Sequence, residues 1–310
     1  MTAERRLGLA IAQYGPHATA DAVHTVAAAA EEIGFDSLWV GDRLLRPVEP
    51  TELYGGLLPW PEGFGTFLDP LVTLTAAAAR TERIRLGTNV LIAPLHVPVR
   101  LARELASLDV LSGGRLMVGL GVGWSRQEYA AAGVPWAERG ARLEETLDVL
   151  EAVWAGSPVS HQGHFWHIDP ARIDPRPPRR PPLYLAGRAP AALDRVARRA
   201  DGWLPAGVPF PVMAETWERL RAKNGSLELI VRGNVFLTGD AVSVARGGTP
   251  GERFPFVGSR DQVVEDVLTC FRLGAHEVLL DLQQTCDDPR RMLAEAALIH
   301  ERVRCASIGG

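Results

Sequence analysis

Along this chain the apolar positions repeat a two-part pattern. An Ala-rich stretch with apolar residues three and four apart runs into a Gly or a charged residue, and a short run of consecutive apolar residues follows. The first period predicts a helix over 22–33, stopped by Gly34, and then a strand over 36–41. The same order recurs with helices over 71–80, 99–111, 143–154, 191–200, 211–223 and 262–273. These lead into strands over 84–91, 115–119, 183–186, 202–204, 229–237 and 277–281. A strand over 7–12 opens the series and a helix over 290–303 closes it, which makes about eight strand–helix units.

Alternating strands and helices of this length specify βαβ units and a parallel sheet. Eight units without a midpoint break favour a closed ring over an open doubly wound sheet. The first strand runs into Gln13-Tyr14-Gly15-Pro16, which lacks the Gly-x-Gly-x-x-Gly phosphate cradle of a dinucleotide-binding half. The expected architecture is therefore α/β: a single (β/α)8 TIM barrel, one domain over 1–310, with insertions after strands 2, 4 and 7. The first insertion, 44–67, carries Pro47, Pro50, Pro59 and Pro61 among Tyr54, Trp60 and Phe64, the composition of a lid or binding element. The second, 157–182, is expected to open with a small hairpin. The third, 238–258, is Gly-rich and reads as a mobile loop.

Composition removes several alternatives. With 33 Lys+Arg against 37 Asp+Glu, the formal charge of −4 is spread along the chain and gives no footprint for nucleic acid. Cys270, Cys286 and Cys305 lack the spacing of a zinc cluster or a disulfide framework and read as ordinary thiols in a reducing compartment. No apolar run approaches the ~18 residues of a membrane span, and the first residues carry no apolar leader. The expectation is a cytoplasmic enzyme acting on a small molecule, with no nucleic acid, no membrane and no metal. His161, His164 and His167 are spaced by three, but Gly163 and Pro158 in the same segment argue for an extended hairpin over a helical zinc site.

Four constellations sit where barrel strands end. Asp42-Arg43 closes strand two, placing a carboxylate beside a guanidinium where barrel chemistry sits. Gly87-Thr88-Asn89-Val90 breaks an apolar strand with a Gly and two polar residues, the mark of a bulge against which a flat ligand can press. Gly119-Leu120-Gly121-Val122-Gly123-Trp124-Ser125 lets backbone amides approach a ligand and offers an indole to stack on it. Ala186-Gly187-Arg188-Ala189-Pro190 leads into a helix N-terminus, a ready anion site with a bidentate donor beside it.

Taken with Gly34-Phe35-Asp36-Ser37-Leu38-Trp39-Val40, Leu108-Asp109-Val110-Leu111-Ser112-Gly113-Gly114-Arg115, Gly133-Val134-Pro135, Glu138 to Glu145 and Ala200-Asp201-Gly202-Trp203, these motifs form a set. Over roughly 7–285 the chain resembles the luciferase-like monooxygenase superfamily, most of all its F420-dependent oxidoreductase branch. The resemblance implies hydride transfer between the deazaflavin coenzyme F420 and a small organic substrate, in a homodimer. An FMN-dependent monooxygenase, or a degenerate flavin-binding barrel, is the alternative. It also implies that Thr88, Asn89 and Val90 form the bulge, often with a non-proline cis peptide, that backs the ring. Gly121, Gly123, Trp124 and Ser125 would line the ring or its ribityl chain, and Ala186, Gly187 and Arg188 would face the phosphate. Asp109 and Arg115 match positions that read as structural. Many F420-dependent relatives place Asp-His after strand two; here Arg43 stands in the His place, and an always-charged guanidinium is no neutral-pH acid or base. Asp42 is the candidate acid, base or orienting group, and Arg43 the charge stabiliser. Gln13 and Trp60 are the candidate substrate contacts.

Overall fold

A computed structural model describes residues 5–54, 59–238 and 253–308. In chain order, the elements begin with β1 (Arg6–Ala10), α1 (Ala20–Ile33), β2 (Ser37–Val40), α2 (Pro70–Ala78), β3 (Arg85–Thr88), β4 (Leu91–Ile92), α3 (Pro98–Leu111), β5 (Leu116–Gly121), α4 (Arg126–Ala131) and α5 (Arg139–Ala155). There follow β6 (Val159–Gln162), β7 (His167–Ala171), β8 (Leu183–Leu185), α6 (Pro190–Arg199), β9 (Gly202–Trp203), α7 (Phe210–Lys223) and β10 (Glu228–Asn234). The chain ends with β11 (Phe236–Leu237), β12 (Val257–Gly258), α8 (Arg260–Arg272), β13 (Glu277–Asp281) and α9 (Pro289–Ile308).

Eight of the strands close a parallel ring in the order β1, β2, β3, β5, β8, β9, β10, β13 and back to β1. The expected (β/α)8 barrel is therefore present, and the open doubly wound alternative is excluded. Both faces of such a ring are covered, so its strands are continuous apolar runs. Leu9 of β1, for instance, lies opposite Leu38 on one side and Leu280 on the other. Outside the ring each helix turns one stripe inward: Val23, Val26, Ala27 and Ala30, three and four apart as the sequence spacing requires, are buried in α1 together with Ala22.

Inside the ring, Trp39, Met117, Tyr184, Leu204, Ile230 and Leu279 pack as a separate cluster. The Trp39 indole lies flat against β3, where a Cβ at Gly87 would sit 2.3 Å from the ring. Gly87 thus serves barrel packing, a correction to its reading as part of the ligand bulge. Below the indole, the fully buried Glu277 accepts from Trp39 Nε1 at 2.8 Å, from the Ser37 hydroxyl, and from Arg6 and Arg85 at 3.2 and 2.9 Å. A carboxylate can be buried so deeply only because its charge and lone pairs are all matched.

The bulge in strand three lies one step further on. Leu86 and Gly87 pair with Leu116 and Met117, whereas Leu91 and Ile92 pair with Leu120 and Gly121, so one extra residue enters on the strand-three side. The Asn89–Val90 peptide within it is cis. In the Leu-Asp-Val-Leu-Ser-Gly-Gly-Arg segment, Arg115 has a structural part, as the resemblance implied. Arg115 donates to the carbonyls of Ser112, Ala78, Thr81 and Ile84 and to the Thr81 hydroxyl, fastening the turn after α3 to the end of α2.

Among the described residues, the chain from Gly41 to Asp69 carries one short 3-10 turn, Glu62–Gly65, and its aromatic residues Tyr54, Trp60, Phe64 and Phe67 pack with Tyr14 and Trp124. The segment after strand four holds the expected hairpin, β6 antiparallel to β7, and also α4, a short helix that the periodicity did not reveal. Within the third insertion, 239–252 lie outside the described residues; β11 and β12, which flank them, pair in parallel.

Candidate active site

At the end of the ring where the strands finish, a cavity of about 330 Å³ is floored by Ala10, Trp39, Val90 and Leu279. Barrel strands converge here by construction, so their last residues share one space. The structure brings Asp42, Arg43, Asn89, Val90, Gly121, Gly123, Trp124, Ala186, Gly187 and Arg188 to this cavity.

Four other candidates lie elsewhere. Gln13 is fully buried, and its amide is spent on backbone: Nε2 donates to the carbonyls of Gly41 and Leu68, and Oε1 accepts from the Gly41 amide. It clamps the end of strand one to the end of strand two and leaves no group for a substrate. Trp60 sits behind the wall, its indole N–H donating to the Glu52 carbonyl and its ring 4.5 Å from that of Trp124. The Thr88 hydroxyl exchanges hydrogen bonds with Gly119 of the neighbouring strand β5, and Ser125 caps α4 by accepting from the Glu128 amide. Both pull the backbone into place rather than face the cavity.

Asp42 presents two different oxygens. Its Oδ2 accepts from the Ile92 amide at 2.8 Å and lies 3.2 Å from His96 Nε2, while Oδ1 has no partner among the described residues. His96 stands just before α3, its side chain 26% exposed on the far side of Asp42. Burial draws the His96 pKa down, but the hydrogen bond and charge of Asp42, with Glu104 and Asp69 behind it, outweigh burial and leave it raised. The stability this pair contributes is therefore complete below the imidazole's ordinary value near 6.5 and disappears as pH rises through the higher folded value. Replacing His96 with Gln is expected to cost more stability at ~pH 5.5 than at ~pH 8.5, measured as denaturant midpoints. An equal loss at both would show that the pair carries no charge.

Arg43 is held by three contacts, of which the one between its buried Nη1 and Glu128 Oε2 is a charge pair without hydrogen-bond geometry. Its Nε donates to the Asp42 carbonyl at 2.8 Å, Nη1 lies 3.0 Å from Glu128 Oε2, and the guanidinium stacks 4.8 Å from the Trp124 ring. Glu128, buried in α4, also accepts from the Leu44 amide at 2.7 Å. Burial pushes the Glu128 pKa up, with Arg43 pulling it the other way. Glu128 was not legible in the sequence, because its role comes from a helix that lacks a periodic signal.

Across the cavity stands a second polar group that sequence reasoning missed. Arg232, from the end of β10, donates to the Asn89 carbonyl at 3.0 Å, to Asn234 Oδ1 at 2.9 Å and to Asp281 Oδ2 at 2.5 Å. Asp281, ending β13, is buried and also receives the Tyr14 hydroxyl at 3.5 Å and the Gln283 amide at 3.1 Å. An Arg inside an apolar strand and an Asp at a strand's end were the available signals. The guanidinium anchors the carbonyl of the bulge from beneath.

Two features of this cavity invite a ligand. Asn89 Nδ2 is buried without a partner, an arrangement that native structures rarely leave unfilled. Arg188 makes no hydrogen bond or ion pair among the described residues, and it stands immediately before α6, whose N-cap, Ala189, has no side-chain cap. An unpaired guanidinium beside uncapped helix amides suits an anion.

Residues 7–247 match the family model described as luciferase-like monooxygenase. The chain belongs to the luciferase-like monooxygenase family. Among its relatives, the F420-dependent glucose-6-phosphate dehydrogenase of Amycolatopsis mediterranei is 33% identical over 196 residues, covering 62% of this chain and 54% of that protein. The chain thus spans about half the length of that curated relative. Among solved structures, monooxygenase RslO1 from Streptomyces bottropensis superposes with a TM-score of 0.75 at 23% identity, covering 96% of each chain. An F420-dependent secondary alcohol dehydrogenase in complex with an F420–acetone adduct superposes with a TM-score of 0.73 at 16% identity, covering 98% of this chain and 99% of that one. At these identities the likeness shows the shared fold. Family members are oxidoreductases or monooxygenases, which supports enzymatic activity here. Among the described residues no helix is long and apolar enough to cross a membrane, and no group of three or more His, Cys, Asp or Glu is placed to hold a metal ion.

Proposed function

We propose that this protein is an F420-dependent oxidoreductase that moves a hydride between the deazaflavin and a small organic substrate. The observation that carries the reading is Asp42: a cavity-facing carboxylate with one oxygen pinned and the other unpartnered, beside a bulge whose buried amide has no partner. The sequence relationship to an F420-dependent dehydrogenase supports it.

The residues present fit the coenzyme. Val90 and the orphan Asn89 amide would take the ring, Gly121, Gly123 and Trp124 its edge, and Gly187 and Arg188 the phosphate. When bound, the coenzyme supplies the hydride donor or acceptor carbon. The protein's part is to orient and to manage the proton. Asp42 Oδ1 takes the hydroxyl proton from an alcohol, or returns one to a carbonyl oxygen, while Ile92 and His96 hold Oδ2 still. Arg43 is anchored through its Nε bond to the Asp42 carbonyl and its ion pair with Glu128. Its charge, matched by Glu128, fixes the Trp124 wall. Tyr54, Phe64 and Phe67 close the space against water.

The decisive measurement is titration of the purified protein with F420 and with FMN. F420 is expected to bind, and Arg188→Ala to weaken that binding by about tenfold, as loss of one charge-assisted phosphate contact should. Failure to bind either coenzyme would end the reading. A flavin-dependent monooxygenase is the second possibility, favoured by the absence of an imidazole at Arg43 and by the RslO1 likeness. Oxygen consumption with reduced FMN would establish it.

A further inference from the structure

A second chamber of about 340 Å³ opens beside the main cavity and shares Tyr54, Trp124, Arg188 and Arg232 with it. Its own wall is apolar: Phe210 and Met213 from α7, Phe236, and Phe254, Phe256 and Val257. The wall is held in place. Phe256 is the one non-glycine residue with positive φ (65°) among the described residues, a backbone conformation that persists only where the surroundings over-determine it and that clusters at ligand clamps. Its amide donates to Asp266 Oδ2 at 2.7 Å, and the same buried carboxylate is gripped by Arg253 at 2.7 and 2.5 Å. Its ring lies over Gly233 of β10, where a Cβ would come within 2.6 Å. Phe210 meets the Phe256 ring edge-on at 6.3 Å.

The polar side chains at this chamber sit at its border with the main cavity and at its edge. Arg232 is engaged by Asp281, by Asn89 and by Asn234 through its Oδ1, and Tyr54, Gln284 and the exposed Arg188 complete the polar lining. A polyhydroxylated body placed here would leave hydroxyls unpaired against phenyl rings, where a buried unsatisfied group loses its hydration without a replacement partner. A flat apolar body would instead bury its surface against rings that prefer edge-to-face neighbours.

We propose that this chamber is the subsite for an apolar, ring-bearing portion of the substrate, with the carbon–oxygen group to be oxidised or reduced projecting into the main cavity. The proposal rests on the F420 reading for its chemistry and adds to it the substrate class, an aryl or alicyclic alcohol or ketone. It adds no chemical step: the hydride exchanges between the carbon bearing oxygen and the coenzyme, and the hydroxyl proton with Asp42.

Isothermal titration with benzylacetone, acetone and glucose 6-phosphate, in the absence of coenzyme, tests the chamber. A separate F420 titration tests the coenzyme. Benzylacetone is expected to bind at least about tenfold more tightly than either of the others. Met213→Trp, which fills the chamber, should weaken benzylacetone by about tenfold or more and leave the F420 dissociation constant unchanged. Phe210→Ala, which enlarges the chamber and keeps the test alive should the tryptophan variant misfold, should favour a naphthyl homologue over benzylacetone. Three results would overturn the proposal: glucose 6-phosphate binding better than the aryl ketone, neither variant altering ketone affinity, or Met213→Trp weakening F420 in place of the ketone. Ketone binding with no affinity for F420 would leave the chamber standing and remove the coenzyme reading. F420 binding with no preference for the aryl ketone would do the reverse.

Discussion

Asp42→Asn is expected to lower turnover by ~10²–10⁴-fold, the range for losing a positioned general acid or base, with F420 affinity unchanged. Two carboxylates line the main cavity among the described residues, Asp42 and Asp281. Asp281 has both oxygens committed, one to Arg232 and the other to Tyr14 and Gln283. Asp42 alone keeps an open oxygen toward the space where a substrate would lie. The isosteric amide keeps the hydrogen bond from Ile92 but cannot accept a proton, so kcat should fall while coenzyme titration shows the site intact. Unchanged kcat in a correctly folded Asp42→Asn protein would remove Asp42 from the chemistry.

Asp281→Ala should destabilise the fold by ~3–5 kcal/mol, because it strands a buried guanidinium. The Arg232 side chain is 17% exposed and that of Asp281 1%, and the 2.5 Å contact between them is the one ion pair Arg232 makes among the described residues. Alanine would leave Arg232 facing Asn89 and Asn234, neutral partners unable to replace a carboxylate. Urea unfolding followed by circular dichroism measures the loss. Asp281→Leu combined with Arg232→Met should recover most of it, since apolar replacement of both members of a buried pair is often neutral. A single substitution costing less than ~1 kcal/mol would mean that water reaches the guanidinium.

Much of the architecture could be read from the sequence because it rests on period. Leu9, Leu38 and Leu280 belong to continuous apolar runs, and Val23, Val26 and Ala30 to a helical stripe, so strand and helix are distinguishable without neighbours. α4 escaped because six residues, Arg126–Ala131, are too few to establish a period. At the site, motif-borne residues such as Asn89, Trp124 and Arg188 do reach the cavity. Gln13, Thr88 and Ser125 have the right chemistry at the right strand ends, yet backbone partners consume it, and which partner a side chain finds is settled only by three-dimensional proximity. Arg232, Asp281 and Glu128 were missed for the same reason in reverse: each takes its meaning from a partner 49 or 85 residues away in sequence.

The extra residue in strand three also changes parity. Gly87 turns toward the barrel axis beneath Trp39, and an undisturbed strand would continue with 89 and 91 on that side. Instead Asn89, Val90 and Ile92 all border the cavity. Two consecutive side chains, one an amide and the other a hydrocarbon, consequently meet the same guest at one height. A single short edge can thereby offer a polar rim and an oily shelf together, a pairing that no evenly pleated ribbon can present.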